Sequence, residues 1–233
     1  MHDLVMNTPN RHDLVWLKLN AVKHAEYAGP APMEPMRALS LLHRWVLGNY
    51  PLIVARQHDV PQGCLRVGLA EPASWGKRRL AFLVNVDDIE RQQPGPLLGE
   101  IVHRLPQAWQ PGAAELAVSL KELGVPAHVY GSSAMEVLTG LPCLTANSDL
   151  DVLFKPEDKA AAKALCVRLN QLRLTHPEFK VDGEVLNHAG DAVNWLELSQ
   201  QRVQLLAKSN QVVRLVDLEE YQSAFHRVER SAA

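Results

Sequence analysis

Tyr130-Gly131-Ser132-Ser133-Ala134-Met135-Glu136, followed by Asn147-Ser148-Asp149-Leu150-Asp151-Val152-Leu153-Phe154, is the stretch on which the reading of this chain turns. Residues 126–130 read as a short strand. Glycine and serine then interrupt it, and residues 133–138 start a helix in which Ser133 and Glu136 have capping-box spacing. Residues 149–154 read as a second strand. Side chains alternate between the faces of a strand, so Asp149 and Asp151 project together while Leu150, Val152 and Phe154 project to the other face. Such a strand buries one face and presents two carboxylates on the other, as expected in a sheet with helices packed against it.

The two halves of this stretch offer complementary chemistry. Paired carboxylates repel each other unless a cation lies between them. Hard oxygen ligands favour Mg2+, which takes one or two carboxylates and completes its shell with substrate phosphates. Gly131 allows a ligand close to the backbone, and Ser132 and Ser133 bring hydroxyls and free N–H groups to a helix N-terminus, where anions bind. Asp149 and Asp151 are thus the expected metal ligands and Gly131 and Ser132 the expected phosphate contacts, arranged for in-line attack on a triphosphate with pyrophosphate leaving. Neither half suffices alone. Acid-x-acid triplets also occur at Asp88/Glu90, Asp182/Glu184 and Asp217/Glu219, and Ser133/Glu136 is explained as a helix cap. The combination carries the expectation.

Working outward, residues 113–123 read as a helix stopped by Gly124, and 157–174 as a helix begun by Pro156. Strands are expected at 180–186, 192–198, 203–208 and 211–216, with a last helix capped by Asp217 and Glu220. The N-terminal part reads as a helix at 35–47, with Leu39, Leu41, Leu42 and Val46 on its face, and strands at 51–56, 63–69 and 80–86. The fold class is α+β, with helices on mixed sheets. Pro106-Gln107-Ala108-Trp109-Gln110-Pro111-Gly112 reads as a linker, dividing the chain into domains 1–110 and 111–233. The net charge of −2 splits unevenly across that boundary: residues 1–110 carry 12 basic and 10 acidic groups, and 111–233 carry 12 and 16.

Composition excludes several classes. Hydrophobic residues make up 47% of the chain and charged residues 21%, as in a folded globular chain. A near-neutral charge argues against a general nucleic-acid binder. The longest apolar runs are far too short to span a bilayer, and the N-terminus has no apolar core of the signal-peptide kind. The cysteines, Cys64, Cys143 and Cys166, are scattered and odd in number, which disfavours a disulfide framework or zinc knuckle and fits a reducing cytoplasm. The ten histidines include no HExxH pair, and no cysteine has an evident histidine base.

Gly131-Ser132 with Ser148-Asp149-Leu150-Asp151 is similar to the core motif of the nucleotidyltransferase superfamily of the DNA polymerase β type. The longer run GSSAMEVLTGLPCLTANSDLDVLF at 131–154 resembles a narrower family, the malonate decarboxylase holo-[acyl-carrier-protein] synthases, or phosphoribosyl-dephospho-CoA transferases. So do HDLVWL at 12–17, VPQGCLRVGL at 60–69, GKRRLAF at 76–82 and VDGEVLNHAGDAVNWLEL at 181–198, so the resemblance spans the whole chain. It implies transfer of the phosphoribosyl-dephospho-CoA group from triphosphoribosyl-dephospho-CoA to a serine of the apo acyl carrier subunit of malonate decarboxylase, or by chemical analogy of citrate lyase. Pyrophosphate is released, with Mg2+ as cofactor, two ions being expected. It also implies a nucleotidyltransferase-like catalytic domain at 111–233 and a smaller N-terminal domain binding substrate or carrier, with no nucleic-acid or membrane partner. A third carboxylate on a following strand usually orients or deprotonates the attacking hydroxyl. Asp182 is preferred here and Glu184 stays open, although Asp182-Gly183 also reads as a turn. Two other readings compete: a nucleotidyltransferase using ATP or CTP on another acceptor, and a non-catalytic carrier-binding module.

A triphosphate needs further cations. Lys208, at the end of an apolar strand, is the expected phosphate contact, against the simpler reading of an exposed strand-end lysine. Lys155, Arg56, Arg66 and the run Lys77-Arg78-Arg79 are weaker positions, more simply solvated. His12 reads as packed or solvated, and Trp109 and Trp195 as packing residues.

Overall fold

Apolar alternation builds the first sheet. In the computed structural model, which describes residues 9–29 and 34–225, strands β1 (Leu14–Leu17), β2 (Glu26–Tyr27), β3 (Leu52–Val54), β4 (Cys64–Ala70), β5 (Arg79–Asn85) and β6 (Ile89–Gln93) line up as β2-β5-β4-β3-β1-β6. Every pairing among them is antiparallel. Leu65, Val67 and Leu69 of β4 and Leu80, Phe82 and Val84 of β5 point to one buried face. Helix α1 (Pro35–Leu47) starts with proline in its first turn and buries Ala38, Leu42, Trp45 and Val46. Its buried stripe thus runs through Trp45, while Leu39 and Leu41 are only partly covered. Trp45 donates its indole N–H to the Pro51 carbonyl at 2.8 Å. Met135 and Cys143 belong to the same core.

The chain divides into two units, Met1–Gly95 with Ala134–Thr145, and Pro96–Ser133 with Ala146–Ala233. The division falls at Gly95/Pro96, earlier than the expected linker at 106–112. That segment leads directly into a helix. Pro111 occupies the first turn, where a missing N–H costs nothing, and Gly112 packs under Phe179.

The second unit contains α2 (Leu98–Ile101), α3 (Gln110–Glu122), β7 (Ala127–Val129), the start of α4 (Gly131–Thr139), β8 (Leu150–Phe154), α5 (Lys159–Thr175), β9 (Val181–Leu186), β10 (Ala192–Asn194), α6 (Trp195–Ser199), β11 (Gln204–Lys208), β12 (Val213–Asp217) and α7 (Leu218–Ser223). Its sheet runs β12-β11-β10-β9-β8-β7. Strands β8 and β9 are parallel and joined through α5, and the other pairings are antiparallel. The α+β class is the expected one. Leu150, Val152 and Phe154 are fully buried, as are Leu165 and Val185.

Local chemistry shifts several expected boundaries. Helix α5 starts at Lys159 because Asp158 caps it, accepting the Ala161 N–H at 2.7 Å. The expected Ser133/Glu136 capping box does not form: α4 starts at Gly131, and Glu136 accepts the N–H groups of Cys143 and Leu144 at 2.8 Å each. The strand expected at 192–198 ends at Asn194, which caps α6. Asp217 precedes α7 without a side-chain cap, and Glu220 binds Arg214 instead. Among the described residues, no helix is long and apolar enough to cross a membrane.

Candidate active site

The site grows from the turn between β7 and α4. Tyr130 donates its N–H to the Asp151 carbonyl at 3.0 Å, which ties the turn to β8. Gly131 has φ +64, a left-handed conformation that glycine adopts without strain. A Cβ placed there would overlap Asp151 Oδ2 and stand 2.7 Å from Asp151 Cγ. The Asp151 carboxylate therefore lies against the first residue of α4, where the helix dipole favours negative charge. Ser132 is half-buried. Ser133 is fully buried, and its hydroxyl has no hydrogen-bond partner.

Register brings the next carboxylate alongside. Asp151 and Asp182 are Cα partners on β8 and β9, and Leu153 pairs with Glu184. Neighbouring strands are about 4.8 Å apart, so Asp151, Asp182 and Glu184 share one face of the sheet. Asp182 and Gly183 lie within a strand, not in the turn that their dipeptide also signals. A Cβ at Gly183 would strike Phe154 and stand 3.1 Å from Trp195 Cδ1. Asp149 lies one residue ahead of β8 and is exposed.

The two candidates for third carboxylate differ in environment. Glu184 is buried and accepts from Lys208 Nζ at 2.8 Å. Asp182 is exposed at the residue level and accepts from Asn194 Nδ2 at 2.9 Å. Partial desolvation and then the Asp149 charge push the Asp182 carboxyl above its ordinary value, and Glu184 adds to this; Lys208 and the Asn194 hydrogen bond act the other way. Asp149 is thus within electrostatic reach of Asp182. Lys208, expected as a phosphate contact, is on this face with its ammonium paired to Glu184.

Comparison with known proteins bears on what such a site does. The family description "Phosphoribosyl-dephospho-CoA transferase MdcG C-terminal domain" matches residues 97–219, and its N-terminal-domain counterpart matches 10–94. The chain belongs to the phosphoribosyl-dephospho-CoA transferase family. It is 34% identical over 207 residues to the phosphoribosyl-dephospho-CoA transferase of Xanthomonas campestris pv. campestris strain 8004, covering 88% of this chain and 93% of that protein. Identity is 36% to the protein of the same name from Xanthomonas euvesicatoria pv. vesicatoria, with the same coverage. Against the Bradyrhizobium diazoefficiens protein it is 33% over 213 residues, or 91% of this chain and 92% of that one. No solved structure matches. The chain is accordingly an enzyme of the transferase class, and the junction between the two family domains lies beside the structural division at Gly95/Pro96.

Within this transferase one of the weaker sequence positions, Arg78, takes a structural role. Arg78 forks onto buried Glu71 through Nε at 2.6 Å and Nη2 at 2.8 Å, and this pairing raises its pKa. The Gln57 side chain spans the backbone N–H and carbonyl of Arg66, and the Nε atoms of Arg56 and Arg66 are buried without hydrogen-bond partners. Trp195 donates to the Val181 carbonyl at 3.0 Å, and Trp109 packs edge-on against Phe179. Both tryptophans are core residues. The three cysteines are free, and burial pushes the Cys143 and Cys166 thiols up to about 11. Sequence reasoning passed over Asn194. Its signal was an Asn followed three residues later by Glu197, the spacing of a helix start.

Proposed function

We propose that this enzyme transfers the phosphoribosyl-dephospho-CoA group from triphosphoribosyl-dephospho-CoA to a serine hydroxyl of an apo acyl carrier protein, the carrier subunit of malonate decarboxylase. The observation that carries this reading is the alignment of Asp151 with Asp182 on parallel strands, with Gly131 against Asp151 and Asp149 in electrostatic reach.

The donor set suits Mg2+. Asp149 and Asp151 offer hard carboxylate oxygens whose mutual repulsion a divalent cation relieves. Mg2+ typically takes one or two carboxylates together with substrate phosphates, so the triphosphate would complete the shells. When bound, two Mg2+ ions neutralise the triphosphate and polarise the reacting phosphoryl group. Gly131 and Ser132, at the N-terminus of α4, receive phosphate oxygens. Asp182 accepts the serine proton as the serine oxygen bonds to the α-phosphorus. The bond from that phosphorus to the bridging oxygen breaks, and pyrophosphate leaves. Lys208 contributes its charge from its place beside Glu184. The N-terminal unit takes the binding role, for the CoA-like part of the precursor or for the carrier. The three free thiols fit work in a reducing cytoplasm.

The test is incubation with apo carrier, precursor and Mg2+, followed by intact-mass measurement of the carrier. The expected product is a carrier heavier by one phosphoribosyl-dephospho-CoA group, dependent on Mg2+ and accompanied by pyrophosphate. D149A and D151A are expected to lower the rate by orders of magnitude with unchanged circular dichroism. Full activity in both variants would remove the metal site from the reading.

A further inference from the structure

We propose that Asn194 is the positioning residue for Asp182. The inference rests on the reading of Asp182 as the proton acceptor and goes beyond it by naming what holds that group in place.

Asn194 ends β10, is the Cα partner of Glu184, and begins α6. Its Oδ1 accepts the Leu196 N–H at 2.9 Å, the ordinary bond of an N-cap. That bond decides the orientation of the amide: with the oxygen committed to the helix, Nδ2 is the end that remains. Nδ2 donates to Asp182 Oδ1 at 2.9 Å. The side chain is thus held at both ends, by the backbone of α6 and by the carboxylate on the next strand. One oxygen of Asp182 is fixed, and Oδ2 remains to take the proton. A flexible carboxylate on a sheet face samples several rotamers. One tied to a helix cap is held in a single geometry before substrate arrives, and an error of about 1 Å in such placement can cost a hundredfold in rate.

The cap supplies a control, because Asn, Asp and Ser serve as N-caps about equally well. N194D and N194S retain an oxygen for Leu196 and lose the amide donor to Asp182; the serine hydroxyl is the same atom that must serve the cap and lies a bond short of the Nδ2 position, and N194D also sets a carboxylate against Asp182. Both variants are expected to melt within a few degrees of the parent. Their kcat for carrier labelling is expected to fall by about ten- to a hundredfold, with KM for the precursor little changed. N194A is expected to lose the cap as well and to melt lower. The decisive comparison adds N194S to D182A. If Asn194 acts through Asp182, it causes no further loss there.

Parent-like kcat in both N194D and N194S, while D182A is slowed by orders of magnitude yet still measurable, overturns the positioning role and leaves Asp182 standing. A full additional loss from N194S in the D182A background also overturns it. Full activity in D182A overturns the reading of Asp182 and the positioning role with it, a result that no variant at 194 produces.

Discussion

Gly131→Ala tests the site at its tightest point. Two effects combine in this variant. The backbone there has φ +64, and alanine in that region costs about 1 kcal/mol. The new methyl would also stand 2.7 Å from Asp151 Cγ, whereas carbon atoms rest at about 3.5–4.0 Å. The carboxylate must therefore retreat by about 1 Å, which at a reacting centre costs about a hundredfold in rate. Gly124 separates the two effects: it has the same φ of +64, and a Cβ there meets nothing within 4 Å. G131A is expected to lose at least as much stability as G124A in thermal melts, because the backbone strain is shared and the clash is not. In a pyrophosphate-release assay with apo carrier and Mg2+, G124A is expected to turn over like the parent and G131A about a hundredfold more slowly. Parent-like turnover by G131A, or an equal loss in both variants, would refute the claim that Asp151 must occupy the space beside Gly131.

Three further outcomes follow from ion pairs and burial. R78A leaves the fully buried Glu71 carboxylate without its bidentate partner, and urea denaturation is expected to show a lower midpoint than the parent. K208M removes the ammonium that pairs with Glu184, whose side chain is 5% exposed. A loss of about 2 kcal/mol is expected, partly recovered when E184Q is added. D182N should depend on pH with a definite sign. The folded-state pKa of Asp182 lies above its ordinary 3.8, so the folded chain binds this proton more tightly than the unfolded chain does. Its contribution is favourable at low pH and is lost as pH rises through the window from 3.8 up to the raised value. D182N is therefore expected to melt above the parent at neutral pH, with the gap closing on acidification. A gap that widens on acidification would contradict the sign.

The elements that carry the site were legible because their signals are local. A glycine after an apolar strand, a short helix and an Asp-x-Asp within an apolar run each follow from nearest neighbours, and β8, α4 and β9 formed about where those signals lay. The pattern failed where tertiary contacts decide. Pro111 and Gly112 look like a linker until Phe179 covers the glycine. Residues 192–198 look like one apolar strand until Asn194 caps a helix within it. Strand β6, Ile-Glu-Arg-Gln-Gln, is polar because it lies at the edge of its sheet, pairing among the described residues with β1 alone, and so it carries no alternation. Glu136 has the spacing of a cap yet binds a loop that lies beyond its own helix. The pairing of Lys208 with Glu184 crosses strands 24 residues apart, a distance no local pattern encodes.

Gly183 has a bearing on how β9 pairs. It lies between Asp182 and Glu184 with Phe154 and Trp195 closing over the place where its side chain would be. Sliding β9 by one residue would bring a carboxylate into that apolar slot and turn its neighbours away from Asp151. Mispairing is thus penalised by the same groups whose alignment it would spoil. The sheet proofreads its own register, and the acidic face owes its order to a residue behind it that has no side chain to offer.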